Sequence, residues 1–161
     1  MNWATLFDMQ QKLDQYIEEN NSVVEKDLFE QKVLALIVEL GELANETRSF
    51  KFWSKNKKLN DEAILEEYVD GIHFILSLGL EKGFTFDKQL ETNEDVSLNS
   101  QFLKLYELII TFKNSPNQKS YDDLFLNYLL LGRLLHISDE QLKKAYFEKN
   151  EVNFNRQKEG Y

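Results

Sequence analysis

The sequence predicts an all-α protein, a single-domain bundle of about five to seven helices covering residues 1–161. Three observations carry that expectation. Hydrophobic residues make up 42% of the chain and aromatics 13%, with one Pro and six Gly, a balance too poor in breakers for a sandwich or a linker-rich chain. Apolar residues recur at three- and four-residue spacing through most of the length, the period of a helix with a buried face. The breaks between these stretches are short and polar, and several open with a helix-capping residue. A chain of 161 residues suffices for one domain that buries roughly 70% of its extended-chain surface.

Residues 5–19, TLFDMQQKLDQYIEE, place Leu6, Met9, Leu13, Tyr16 and Ile17 on one face of a first helix. Asp27 with Glu30 forms the pattern of a capping box for a second helix, which runs to about Arg48. A basic, aromatic connector follows, SFKFWSKNKKLN. Asp61 is placed to cap a third helix, DEAILEEYVDGIHFILSLGLEK, which Gly83 ends. Residues 84–99 are polar and carry no assignment. Two apolar-rich helices, QFLKLYELIITFK and YDDLFLNYLLLGRLLH, flank NSPNQKS, the segment that holds the only proline. Ser138 starts a last helix, SDEQLKKAYFEKN, with Gln141 completing its capping box. The terminal segment NEVNFNRQKEGY has only Val152, Phe154 and Tyr161 as apolar anchors, so it is expected to be mobile without a ligand.

Composition also excludes. Cysteine is absent, which removes disulfides and thiolate metal sites. The net charge of −9 argues against a nucleic-acid surface, because a phosphate-tracking groove needs clustered Lys and Arg. No charged-then-apolar leader opens the sequence, and charges break every apolar stretch well short of a membrane-spanning length. The expectation is a cytoplasmic protein with no membrane partner.

Residues 33–44, VLALIVELGELA, raise the chemical question. Val33, Leu34, Leu36, Ile37, Val38, Leu40 and Leu43 spread around most of the helix circumference, leaving little polar face for Glu39 and Glu42. Both carboxylates are expected to be partly withdrawn from water, and a buried carboxylate needs a cation, a donor or a proton. The third helix repeats the pattern with Glu67 and Asp70 amid Ile64, Leu65, Tyr68, Val69, Ile72 and Phe74. Each pair is spaced i, i+3, so its members are neighbours on one face. Packed antiparallel, the two helices bring four acids together. Hard oxygen ligands without Cys point to Mg²⁺ or Mn²⁺ rather than zinc. A single acidic pair of this spacing is usually part of a solvated face. Two of them on successive, nearly all-apolar helices outweigh that reading. Glu46, Glu62 and Glu66 are set aside as ordinary surface charges.

ExxE (Glu39, Glu42) on one helix and ExxD (Glu67, Asp70) on the next resemble the metal-binding signature of the all-α nucleoside triphosphate pyrophosphatases, which include the MazG-like proteins. The tail AYFEKNEVNFNRQKEGY and the head MQQKLDQ resemble the dimeric dUTPases, and FKFWSK and DGIHF extend the likeness from about residue 5 to 161. That resemblance implies an all-helical homodimer that cleaves dUTP to dUMP and pyrophosphate with Mg²⁺, with use of dUDP left open. It makes Glu39, Glu42, Glu67 and Asp70 the ligand set, and Glu39 the residue that also activates water. Lys149, Arg156 and Tyr161 would contact phosphates and Asn153 the sugar. Gln10 and Asp14, i, i+4 on the first helix, would read the uracil edge; some members carry an amide where this chain has Asp14. An ionised Asp only accepts hydrogen bonds, which suits uracil N3–H, while Gln10 or Gln11 can donate to a carbonyl.

Three further positions are open to two readings each. Trp53 and Phe50 would line the nucleoside pocket, with Lys51 near phosphate, or else pack in the core. His73, one turn after Asp70, would orient a ligand or the substrate, or serve as a buried structural histidine. His136 has no such context. Two other functions compete: a MazG-like pyrophosphatase for another nucleotide, such as dCTP or a damaged base, and a non-catalytic helical interaction protein. Residues 102–112 and 124–135 are apolar on too many faces for a lone monomer surface, so part of that area is expected to meet another chain.

Overall fold

A computed structural model of the chain describes residues 1–24, 27–91 and 95–161. Six helices follow in order: α1 (Trp3–Asn20), α2 (Phe29–Thr47), α3 (Asp61–Lys82), α4 (Leu98–Asn114), α5 (Gln118–Leu134) and α6 (Asp139–Lys158). No strand occurs among the described residues, and none of their helices is long and apolar enough to cross a membrane.

The central helix is α3, which packs against α1, α2, α5 and α6. Its sequence explains the position, because a helix that is apolar around its whole circumference can only be buried on every side. Tyr68, Val69, Ile72, Ile75, Leu76 and Leu78 are all at most 1% exposed. Against it, α2 buries Val33, Leu36, Leu40 and Leu43, each leucine contributing about 1.5–3 kcal/mol by burial. The opposite side of α2 is not covered. Leu34 and Val38 are 61% and 49% exposed, so the apolar run that left no evident wet face does in fact present one to the surface.

Tyrosines lock α5 onto α3. Tyr68 donates its hydroxyl to the Tyr128 carbonyl (3.1 Å) and Tyr128 donates to the Tyr68 carbonyl (2.9 Å), with the rings stacked 4.9 Å apart. Each ring lies over a glycine of the facing helix, Tyr128 over Gly71 and Tyr68 over Gly132, and a Cβ at either glycine would collide with it. Tyr121 makes a third such contact, donating to the Ile75 carbonyl at 2.8 Å beside Gly79.

Helix ends follow the sequence in part. Gly83 (φ 74°) closes α3, and Ser138 with Gln141 forms the expected reciprocal box at α6. Asn60, rather than Asp61, caps α3 through a 3.2 Å bond from the Ala63 N–H. The box at α2 does not form: the Asp27 carboxylate accepts from Phe29 N–H, and Leu28 N–H is taken by Glu81 Oε1. The starts of α4 and α5 lie three residues earlier than expected, capped by Ser97 and Asn117. His136 is left-handed (φ 60°) and ends α5, with Ile137 N–H bonding the Gly132 carbonyl.

The largest departure is the tail. The helix does not stop at Asn150 but continues to Lys158. Phe154 packs on Tyr16, ring centroids 5.2 Å apart, and Gln157 Oε1 accepts from the Asn20 and Asn21 amides. Two anchors on α1 therefore order a segment that its own composition could not.

Candidate active site

Along the α2–α3 interface Lys32 meets Glu81 and Glu39 meets Asp70, so the two helices run antiparallel and the acidic pairs face each other. One carboxylate oxygen each from Glu39, Glu67 and Asp70 lies within 4.8 Å of the other two. Glu39 Oε2 and Glu67 Oε2 are buried and receive no hydrogen bond. Burial, and then repulsion from Asp70 and Glu42, pushes the Glu39 carboxyl up to about 8. Burial and the same two neighbour types, Glu42 and Asp70, push Glu67 up to about 7. Glu42 itself is exposed, contrary to the expectation that both acids of α2 are withdrawn from water, yet its charge acts on the other members. Two unpartnered oxygens, from Glu39 and Glu67, converge with the Asp70 carboxylate, and an all-carboxylate set with no thiolate or imidazole fits a hard divalent cation.

α6 supplies the counter-charge. Lys149 Nζ lies 3.0 Å from Asp70 Oδ2 and 2.9 Å from Glu66 Oε1, with its side chain 13% exposed. Burial alone would lower the ammonium; Glu66 and Asp70 outweigh it and hold Lys149 above the usual lysine range. Glu66 is therefore a partner of the site and not an idle surface charge. Its carboxyl is held low by the Lys149 bond.

At the other end a chain of hydrogen bonds joins α1, α3 and α6. The Tyr146 hydroxyl donates to Gln10 Oε1 at 2.8 Å, and His73 Nδ1 lies 2.7 Å from the same oxygen. An amide oxygen only accepts, so Nδ1 carries the proton and Nε2 is a bare acceptor. Burial, then the Lys149 charge, drives His73 down to about 3, so the ring is neutral. Gln10 Nε2 in turn donates to Asp14 Oδ1 at 2.8 Å, and Ser77 donates to Asp14 Oδ2 at 2.7 Å. His73 Nε2, buried without a partner, is thus both a structural member of this chain and a free acceptor.

A cavity of about 210 Å³ connects the two ends. Gln10, Asp14, Glu39, Asp70, His73, Lys149, Asn153 and Arg156 all line it, with Leu13, Ile17 and Phe74 as apolar walls. Eight residues picked from sequence thus share one concavity. Glu42 and Glu67 belong to the acid cluster beside it. Lys51, Trp53 and Tyr161 do not line it. Trp53 is 63% exposed and sits edge-on to Phe50 and Phe52 in the connector, so it is not packed in the core. Tyr161 is 81% exposed, its ring under the Arg156 guanidinium at 5.2 Å. Sequence reasoning missed Ser77, Tyr146, Lys32 and Glu66. Ser77 alone left a signal, falling on the Asp70–His73 face of α3 at i+7 and i+4. A larger cavity, about 710 Å³, lies between the starts of α1 and α6; it holds none of the clustered acids.

The family model described as dUTPase matches residues 2–161. A search of the curated proteins found no match.

Proposed function

The chain belongs to the dUTPase family of all-α fold, and we propose from that premise that it hydrolyses dUTP to dUMP and pyrophosphate with Mg²⁺, as a homodimer. The reaction class, nucleotide pyrophosphohydrolysis, comes with the family. The substrate, the metal and the assembly are the proposal.

One observation carries it. A single cavity has donors and acceptors fit for a base at one end and clustered acids with Lys149 and Arg156 at the other. Glu39, Glu42, Glu67 and Asp70 would hold the metal, whose charge would neutralise phosphate oxygens and polarise the bond to be broken. The Glu39 carboxylate would hold the attacking water and take its proton. Lys149 and Arg156 bind phosphate oxygens through charge-assisted bonds, and Tyr161 follows Arg156. Asn153 and the bare Nε2 of His73 face the sugar. Gln10 and Asp14 take the base edge. Lys51 and Trp53 have a role only if the connector meets the nucleotide from outside the cavity.

Homodimer formation is supported by an apolar stripe with no cover in one chain. Leu34 and Val38 on α2 and Leu103 and Ile110 on α4 are 44–66% exposed, and Tyr106 joins the two helices by reaching the Ile37 carbonyl. The test of function is a panel of nucleoside triphosphates with Mg²⁺, scored for monophosphate and pyrophosphate. Preference for dCTP or a damaged nucleotide would favour the MazG-like alternative. No turnover of any nucleotide would favour the interaction protein.

A further inference from the structure

Asp14 stands where the base would be read, and its surroundings are more elaborate than a base-reading carboxylate needs. Ser77 Oγ donates to Oδ2 and Gln10 Nε2 to Oδ1. Behind Oδ2 lies Lys32 Nζ at 4.0 Å, itself tied to Glu81 at 2.7 Å. The side chains of Lys32, Asp14 and Glu81 are only 13–17% exposed, so this is a partly buried charge network and not a solvated one. Gln10 is equally constrained. Its Oε1 is occupied by Tyr146 and His73, so its NH₂ group must face Asp14, with one of two N–H bonds left over.

We propose that Ser77 and Lys32 are positioning residues that hold Asp14 as a fixed acceptor in the cavity wall, and that the discrimination of uracil from cytosine expected of that subsite depends on them. The inference rests on the dUTP reading above. The wall offers an acceptor, the remaining lone pairs of Asp14, next to a donor, the second N–H of Gln10. Uracil N3–H and its neighbouring carbonyl form the complementary pair. Cytosine presents donor and acceptor only one position along its edge, as the N4 amino group and N3. Using them would displace the glycosidic bond and carry the phosphates away from acids fixed at the far end of the cavity. An amide at this position could turn over and donate; a carboxylate bonded by Ser77 and backed by Lys32 cannot. Discrimination by such a hydrogen-bonded site is strong because a mismatched base leaves buried polar groups unpaired.

The test measures kcat and KM for dUTP, dCTP and N3-methyl-dUTP with wild type, Ser77→Ala, Lys32→Met, Lys32→Arg, Asp14→Asn and the double variant Ser77→Ala/Asp14→Asn, with a melting curve for each. Ser77→Ala and Lys32→Met should each lower kcat/KM for dUTP by about tenfold, carried mainly by KM, and narrow the dUTP/dCTP ratio by a similar factor. Lys32→Arg should restore most of the ratio. N3-methyl-dUTP should be a poor substrate for wild type. In the Asp14→Asn background Ser77→Ala should cost less than twofold, because the charge it holds is gone. A wild type that prefers dUTP, with ratios unmoved in all the variants, would overturn this inference and leave the dUTP reading standing. A wild type that prefers dCTP would overturn both. Equal losses on dUTP and dCTP with a lowered melting temperature would show Ser77 and Lys32 to be structural only, and would also overturn it.

Discussion

Glu39→Gln should abolish turnover and, without metal, make the protein more stable at alkaline pH. The Glu39 carboxyl is raised to about 8 by burial and by Asp70 and Glu42, against an ordinary value of 4.5. From pH 4.5 to 8 the folded protein keeps a proton that the unfolded chain has lost. Stability from this group is therefore fully present below 4.5 and falls as pH rises through 8. Between pH 7 and 9 the ceiling on the loss is ~1.4 kcal/mol, and about 1 kcal/mol is expected once solvent screening of a half-buried group is allowed for. Glu67, raised to about 7, adds to the lower part of the same window. His73, lowered to about 3, does not interfere: its contribution is complete above its ordinary 6.5 and is lost only as pH falls. The assay is urea denaturation in EDTA at pH 7, 8 and 9, with wild type losing about 1 kcal/mol across the series and Glu39→Gln losing much less. Turnover should fall at least a hundredfold, on the scale of losing a group that acts only in the transition state. A variant equally destabilised at every pH would refute the argument, as would wild-type stability that rises from pH 7 to 9.

Mg²⁺ should raise the melting temperature of wild type far more than NaCl of matched ionic strength, by a stabilisation of ~2.7 kcal/mol at a hundred times the dissociation constant; equal responses would mean general screening. Truncation after Asn150 should remove activity and also lower the melting temperature by the equivalent of about 1–2 kcal/mol, since it takes away the Tyr16–Phe154 contact and the Gln157 bonds. Unchanged dUTP turnover in that variant would disconnect Arg156 from phosphate. Gly71→Ala places a Cβ 2.6 Å from Tyr128 Cζ and should cost about 2–3 kcal/mol by overpacking. A loss under ~1 kcal/mol in unfolding free energy by urea denaturation would show that the Tyr128 ring can move.

What the sequence disclosed about the site was whatever local periodicity encodes. Glu39, Glu67 and Asp70 were legible because a charge at i, i+3 on an apolar helix contradicts its surroundings. Gly83 and the Ser138–Gln141 box were legible because a cap is a matter of adjacent residues. Long-range pairing left no such trace. Asp27 looked like half of a capping box, but Glu81, over fifty positions away, takes the Leu28 N–H instead. The tail looked anchorless because its anchors, Tyr16, Asn20 and Asn21, lie on the first helix. Glu66 resembled any surface acid until Lys149 was seen to reach it. Leu34 and Val38 counted as evidence for a fully buried α2, whereas periodicity alone cannot separate a face covered by the same chain from one left bare.

The exchange between Tyr68 and Tyr128 works as a vernier. Each hydroxyl is matched to the other tyrosine's carbonyl, and each ring to a glycine on the opposing helix. A slip of one residue, ~1.5 Å of axial rise, would break both bonds and drive both rings into side chains. The height of α3 is thus read off α5, no residue of which lines the cavity. Glu67 precedes Tyr68, and Asp70 precedes Gly71, so the two acids of α3 inherit that setting. Anyone transplanting the acid quartet into another bundle would have to carry Tyr68, Gly71, Tyr128 and Gly132 with it as one indivisible unit, although none of the four lines the cavity.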